Sequence, residues 1–280
     1  MKGLVVRLEA NRPTVRLDDG REWLCHLAGR LRRDIGRIRV GDRVTVEPTT
    51  ADEGVVTAVE PRSFTLQRPP VANVTGLVVV FTLVHPASSL DLLDRRLVLA
   101  ELYGLDLLVL AHKADLVDAD RRRDLAPWAR LYPIVWTSTS TGEGLPGIPE
   151  LLGPGIHVMT GESGVGKSSL LERLTQNQAI ATGTLSRWQR GRQTTRTVSL
   201  HRLGGGYLSD TPGFSRFRLP PMTAEELKWA FPEFRDLTCR FHDCLHRDEP
   251  GCALPQALEA GRISPVRYRH YLEFLGEVMR

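Results

Sequence analysis

Residues 161–168 read Gly161-Glu162-Ser163-Gly164-Val165-Gly166-Lys167-Ser168, and they decide the centre of the fold. They match G-x-x-x-x-G-K-[ST] at every fixed position. Residues 156–160 ahead of them read as a strand, and 167–176 behind them as a helix, which is the setting the motif requires. The glycines let backbone N–H groups turn toward a phosphate chain, and the helix start adds its dipole. Gly161 through Ser168, with the adjacent Ser169, are therefore the expected phosphate-binding residues. Lys167 would reach the outer phosphates, and Ser168 would ligate Mg²⁺. Such a loop does not by itself choose between ATP and GTP.

Working outward, residues 76–84, 105–111 and 134–137 read as strands, and 89–103 as an amphipathic helix ended by Gly104. Strands at 197–203 and 207–210 flank Gly204-Gly205-Gly206. This alternation over residues 67–218 predicts a mostly parallel sheet covered by helices. Upstream, residues 1–66 hold short strands at 3–9, 14–17, 22–26, 43–47 and 55–59, with turns at Asp19-Gly20, Gly41-Asp42 and Glu53-Gly54. About five such strands fit a small β-barrel, with an OB-fold as the leading form and another small barrel or sandwich as the alternative. After Pro220-Pro221, residues 219–280 turn helical. Thr223 caps a helix reaching about 231, with Glu225 and Glu226 near its positive end. A last helix starts at Ser264-Pro265. The fold class is thus multidomain: a barrel over 1–66, an α/β domain over 67–218 and a mainly α domain over 219–280.

Composition excludes little. Lys plus Arg number 37 against 33 acids, and the net charge of +4 does not argue for nucleic acid. Two local runs do more. Residues 185–202 carry Arg187, Arg190, Arg192, Arg196 and Arg202 with no acid, and residues 30–43 carry six arginines and two acids. They fit either solvated faces or contact with RNA phosphates. Residues 1–11 lack a basic start followed by an apolar run, and 76–84 is too short to span a bilayer. A cytoplasmic protein with no membrane partner is expected.

Three of the four cysteines cluster as Cys239-x4-Cys244-x-His246-x5-Cys252. Three thiolates and an imidazole suit one closed, structural Zn²⁺ site, with His242 as the alternative nitrogen. Cys25 reads as an ordinary buried strand residue.

Base recognition is read from two loops. His112-Lys113-Ala114-Asp115 follows the strand 105–111 and resembles the N-K-x-D element of GTPases. Asp115 would accept from the ring N–H and exocyclic amine of guanine, a pair adenine does not offer. Lys113 would lay its stem along the base, and His112 stands in place of Asn. Ser138-Thr139-Ser140-Thr141-Gly142 resembles the S-A-K-x-G element, which places Ser138 and Thr139 at the base.

Two further elements follow the phosphate loop. Asp210-Thr211-Pro212-Gly213 fits D-x-x-G, with Asp210 directed at Mg²⁺ and the Gly213 N–H at the γ-phosphate. Within Gly191-Arg192-Gln193-Thr194-Thr195-Arg196, Thr195 is preferred to Thr194 as the further Mg²⁺ ligand. Many GTPases place a water-orienting Gln directly after D-x-x-G. Here that residue is Phe214, so Gln193 is the candidate to orient water and Lys167 the candidate to stabilise charge. A slow intrinsic rate, raised when a partner orders these elements, follows.

The base elements precede the phosphate loop, a circularly permuted order. Together, barrel, His112–Asp115, Ser138–Gly142, Gly161–Ser169, Asp210–Phe214 and the cysteine spacing resemble the circularly permuted, small-ribosomal-subunit-dependent GTPases of bacteria. The resemblance spans essentially the whole chain. It implies an OB-fold, a permuted GTPase domain and a zinc domain. It also implies GTP and GDP as ligands, contact with the small ribosomal subunit and its rRNA, and subunit-stimulated hydrolysis late in subunit maturation. A monomer is expected. Two departures stand out: the family usually carries His where Gln193 stands and Asn where His112 stands. The permutation also leaves only the link 215–222 between Gly213 and the last domain, so γ-phosphate contact there would reorient that domain. The competing readings are a nucleotide-gated rRNA-binding module with negligible hydrolysis and a P-loop ATPase or kinase.

Overall fold

The computed structural model describes residues 1–9, 12–29, 31, 38–67, 69–182, 198–210 and 218–280 of this 280-residue chain, without the side chains of 177–182 and 210. Gln193, Thr194, Thr195, Gly213 and Phe214 lie outside the described residues, as do the link 215–217 and most of both arginine runs.

Five strands form the barrel: β1 (Lys2–Glu9), β2 (Arg12–Leu17), β3 (Glu22–Leu27), β4 (Arg43–Pro48) and β5 (Glu53–Val59). They close in the order β1-β2-β3-β5-β4-β1, with β3 and β5 parallel and every other pair antiparallel. This is the predicted OB-fold. Alternation along each strand sends Val5, Val15, Trp23, Cys25, Val44, Val46 and Val56 into one apolar interior. Burial there pushes the Cys25 thiol up to about 11, as expected of an inert packing cysteine.

A hairpin, β6 (Thr65–Gln67) and β7 (Pro70–Ala72), leads out of the barrel and straddles the expected boundary at 66/67. Three-residue strands carry too little periodicity to be predicted. Buried Asp42 pins the lead-in: it accepts from the Arg39 N–H at 2.7 Å and from Arg62 Nε at 2.7 Å. Asn73 Nδ2 donates to the Gly41 carbonyl at 2.9 Å. The lead-in is therefore a fixed strap and not a free linker.

The α/β domain contains β8 (Gly76–Phe81), α1 (Leu90–Leu102), β9 (Asp106–His112), α2 (Ala119–Arg122), α3 (Ala126–Ala129), β10 (Ile134–Thr137), α4 (Ile148–Leu152), β11 (Ile156–Thr160), α5 (Lys167–Thr182), β12 (Ser199–Leu203) and β13 (Gly206–Asp210). The sheet order is β10-β9-β8-β11-β13-β12, parallel except for the final antiparallel pair. β8 stops at Phe81, short of the predicted 84. There the Thr82 N–H turns to Ser88 Oγ at 3.2 Å, and Thr82 Oγ1 accepts from the Val84 N–H at 3.3 Å. β12 also pairs with β1 of the barrel through Arg7 and Ser199, so one 11-stranded sheet runs through both domains.

The last domain consists of α6 (Ala224–Trp229), α7 (Leu254–Glu259) and α8 (Pro265–Val278) around Phe231, Phe234, Tyr271 and Phe274. Thr223 and Glu226 form a reciprocal capping box at the start of α6. Val98 of α1 lies in the same core, so this domain packs directly on the α/β domain.

Candidate nucleotide site and metal centre

Parallel strands release their following loops at one edge, where α/β domains bind ligands. Register pairs Thr137 with His112, Phe81 with Ala111, Thr160 with Val79 and Ser209 with Val158. The loops after β10, β9, β8 and β11 and the end of β13 therefore converge at one edge of the sheet. That edge brings together His112–Asp115, Ser138–Gly142, Gly161–Ser169 and the backbone of Asp210.

The phosphate loop joins β11 to α5. Val165, Leu170, Leu171 and Leu174 anchor it in the core, while Ser163, Gly164, Ser168 and Ser169 are exposed. Lys167 Nζ donates to the Gly161 and Glu162 carbonyls at 2.9 and 2.7 Å, which holds the ammonium at the mouth of the loop. Gly161 approaches the Val80 carbonyl so closely that a Cβ would sit 2.4 Å from its oxygen.

His112 is 2% exposed and lies behind this loop. Its Nδ1 is 3.1 Å from Thr137 Oγ1. A Cβ on Gly166 (φ 102°) would meet its ring carbon at 2.7 Å, so the imidazole fills the space the glycine leaves open. Burial lowers the His112 pKa and favours the neutral ring. Where sequence reasoning sees a replaced Asn, the structure shows a packing residue joining β9, β10 and the phosphate loop.

Lys113 has φ 61° and directs its Nζ to the His85 carbonyl at 3.0 Å and the Gly164 carbonyl at 3.2 Å. It thereby ties the base loop to the phosphate loop. Asp115 is exposed, as base recognition needs. Ser138 is fully buried, and its Oγ accepts from the Ser140 and Thr141 N–H groups at 3.1 and 3.2 Å. The hydroxyl shapes this loop; half-buried Thr139 stands beside it.

Some participants have no short-range sequence signal. Arg122 donates to Glu143 at 2.9 Å and to the Ala114 carbonyl at 3.0 Å, and its guanidinium lies 4.9 Å from the Trp136 ring centroid. It staples the two base loops together. Glu162 accepts from the Ser89 N–H at 2.9 Å, across 73 positions of chain.

The second centre lies in the last domain. Cys239, Cys244, His246 and Cys252 present ligand atoms that all lie within 4.8 Å of one another. His246 Nδ1 is 3.5 Å from each of the three sulfurs, and Cys239 and Cys252 Sγ are 3.9 Å apart. A tetrahedral ion bound at about 2.3 Å to sulfur and about 2.0 Å to nitrogen needs edges of about 3.5 to 3.8 Å. The four residues fit one such ion, with His246 and not His242 as the nitrogen ligand. The N–H groups of His246, Ala253 and Leu254 point at Cys244, Cys239 and Cys252 at 3.2–3.4 Å, which favours thiolates. Tyr268 and Tyr271 hydroxyls donate to the His246 and Leu245 carbonyls at 2.8 and 2.6 Å and fix the loop. Burial pushes the Cys244 thiol up to about 12, a cost that a bound cation offsets.

Comparison with known proteins agrees with this geometry. Residues 59–220 match the RsgA GTPase family model. The chain is 42% identical over 270 residues to the small ribosomal subunit biogenesis GTPase RsgA of Moorella thermoacetica, covering 93% of this chain and 92% of that one. Its counterpart of the same name in Carboxydothermus hydrogenoformans is 40% identical over 285 residues, covering 99% and 98%. Among solved structures, YjeQ from Thermotoga maritima superposes with a TM-score of 0.84 at 38% identity, covering 99% of this chain and 98% of that one. YloQ, described as a circularly permuted GTPase, gives 0.80 at 30% identity, covering 99% and 94%. With the permuted order of its site loops, the barrel ahead of them and the Cys3His cluster behind, this chain belongs to the RsgA GTPase family.

Proposed function

We propose that this protein binds the small ribosomal subunit and hydrolyses GTP during late maturation of that subunit, with turnover raised by the subunit and release controlled by the nucleotide. The observation that carries this reading is the convergence of exposed Asp115, the Lys113 tie and the phosphate loop at one sheet edge. Membership of a family whose relatives are named for small-subunit biogenesis supports the partner. Domain limits of 1–66, 67–218 and 219–280 serve as the working division.

In this reading, Asp115 selects guanine, and Ser138 and Thr139 supply the backbone beside the base. The N–H groups of Gly161–Ser169 surround the phosphates, and Lys167 leaves its carbonyl partners to meet the growing charge. Ser168, Thr195 and Asp210 offer hard oxygen donors, the chemistry Mg²⁺ prefers, and would hold it; Thr194 and Gly213 would contact the γ-phosphate side. When bound, Mg²⁺ would supply positive charge that offsets the phosphate charge there. Gln193 would orient water, since Phe214 has no hydrogen-bonding group. The Cys239, Cys244, His246 and Cys252 tetrahedron would hold one structural Zn²⁺. No helix among the described residues is long and apolar enough to cross a membrane, and we place the protein in the cytoplasm as a monomer that meets rRNA on the subunit.

The test is phosphate release from GTP and from ATP, with and without purified small subunits. GTP-selective turnover rising at least about tenfold with subunits, about 1.4 kcal/mol of barrier, is the expected result. GTP binding without turnover on the subunit would replace the enzyme with a nucleotide-gated binding module.

A further inference from the structure

The helix α1 carries two polar residues that face opposite ways. Asp94 and Arg96 are two positions apart, about 200° around a helix of 3.6 residues per turn. Both are buried, at 0% and 2% exposure.

Arg96 faces the phosphate loop. Its Nε donates to Thr160 Oγ1 at 3.2 Å, directly ahead of Gly161, and its Nη1 donates to the Leu92 carbonyl at 2.6 Å. The start of α1 meets the same place, because Glu162 accepts from the N–H of Ser89, the N-cap. Two residues on either side of Gly161 are thus held by one helix.

Asp94 faces the last domain, which holds the Cys3His cluster. It accepts from Trp128 Nε1 at 2.6 Å, from His270 Nδ1 at 2.6 Å, and from Arg267, which is 1% exposed. Arg267 in turn donates to Glu233 at 2.9 Å. Nearby, Arg95 donates to Glu277 at 2.8 Å and stacks 4.4 Å from the Phe274 ring centroid. Helix α8 therefore grips α1 through a buried charge network. A network of this kind contributes little net stability but penalises any geometry that leaves one member unpaired. A displacement of α8 that kept this network paired would have to carry α1 with it, and α1 holds Thr160 and Glu162.

We propose that α1 is a positioning element for the phosphate loop, with Arg96 and Thr160 at one end and Asp94 and α8 at the other, so that contact with the last domain is felt at Gly161. This route is separate from the link 215–222 and rests on the GTPase reading above.

The experiment uses the full chain. Asp94→Asn keeps the shape and removes the charge; Thr160→Val removes the acceptor of Arg96. Glu101→Gln, which disrupts the exposed Arg235–Glu101 pair between the same two domains, is the control. kcat and KM for GTP are measured with and without small subunits, normalised to nucleotide-binding-competent protein so that loss of folded protein does not count. D94N and T160V are each expected to change kcat or KM at least fivefold and to reduce stimulation by the subunit. The double variant should be no worse than the more impaired single variant, and E101Q should be unchanged. Folded D94N and T160V within twofold of the unaltered chain would overturn the inference, as would effects that multiply independently. If D94N does not fold, His270→Gln replaces it and is judged by the same criteria. Absence of GTP turnover in the unaltered chain would instead overturn the GTPase reading itself.

Discussion

The nucleotide site and the Cys3His centre solve opposite problems. The first presents exposed groups, Asp115, Ser163 and Ser168, on loops whose roots are buried. Its stiffness comes from behind: Val165 and Leu170 in the core, His112 against Gly166, and Lys113 and Arg122 tying loop to loop. The second centre turns its ligand atoms inward on one another and surrounds them with Phe234, Tyr268 and Tyr271. An open site keeps room for a ligand and borrows rigidity from the sheet. A closed Cys3His site would gain it from a bound ion, so withholding the ion would remove the domain's organising centre.

The largest effect should come from breaking the closed site. Cys244→Ser is expected to abolish stoichiometric metal and destabilise the last domain by at least about 5 kcal/mol, a fraction of the roughly 10–16 kcal/mol such ions supply. Hydrogen exchange around Phe231 and Phe274 reads this directly; retained protection in metal-free protein would erase the contrast between the two regions. Lys167→Ala attacks the open site and should behave differently. Turnover should fall about 100-fold, while the urea midpoint of the half-buried site barely moves. A large loss of stability would mean that the loop, too, is organised by its charged group.

Gly166→Ala probes the support behind the loop. The new Cβ meets the His112 ring in a left-handed backbone conformation, so a loss of about 1–3 kcal/mol in stability is expected together with weaker GTP binding. Pairing it with His112→Ala should recover part of that loss by removing the clash, leaving only the backbone strain; no recovery would place the whole effect in the backbone.

The smallest effect concerns pH. Burial lowers the pKa of His112 and of His157 in the folded chain. The unfolded chain therefore takes up these protons first as pH falls. Their contribution is complete above the ordinary imidazole value of about 6.5 and declines below it, by at most about 1.4 kcal/mol per pH unit per histidine, until the folded-state pKa is passed. Urea titrations of the parent and of His112→Asn between about pH 5.5 and 7.5 should show a shallower decline in the variant. Parallel curves would place His112 in water and not against Gly166.

Local and distant information part company in this chain. Barrel strands, the alternating α/β order, the capping box at Thr223 and the start of α8 at Pro265 were readable because each is written within a few neighbouring residues. The three-residue strands β6 and β7 were not, since they are too short to alternate, nor was α7, which spans under two turns and has no side-chain cap to mark its start.

By itself, the sequence determined which chemistry-bearing groups are present: a complete phosphate motif, an Asp115 in an N-K-x-D-like element, a Cys3His set and the permuted order in which they occur. Those signals are local because backbone turns and ligand spacings are local. Only the tertiary structure decided that His246 and not His242 completes the tetrahedron, that His112 packs on Gly166, and that Asp94 and Arg96 face two different domains. These relations join residues up to 176 positions apart. Nothing in a short window records them, because burial and charge pairing are set by what the folded chain brings alongside.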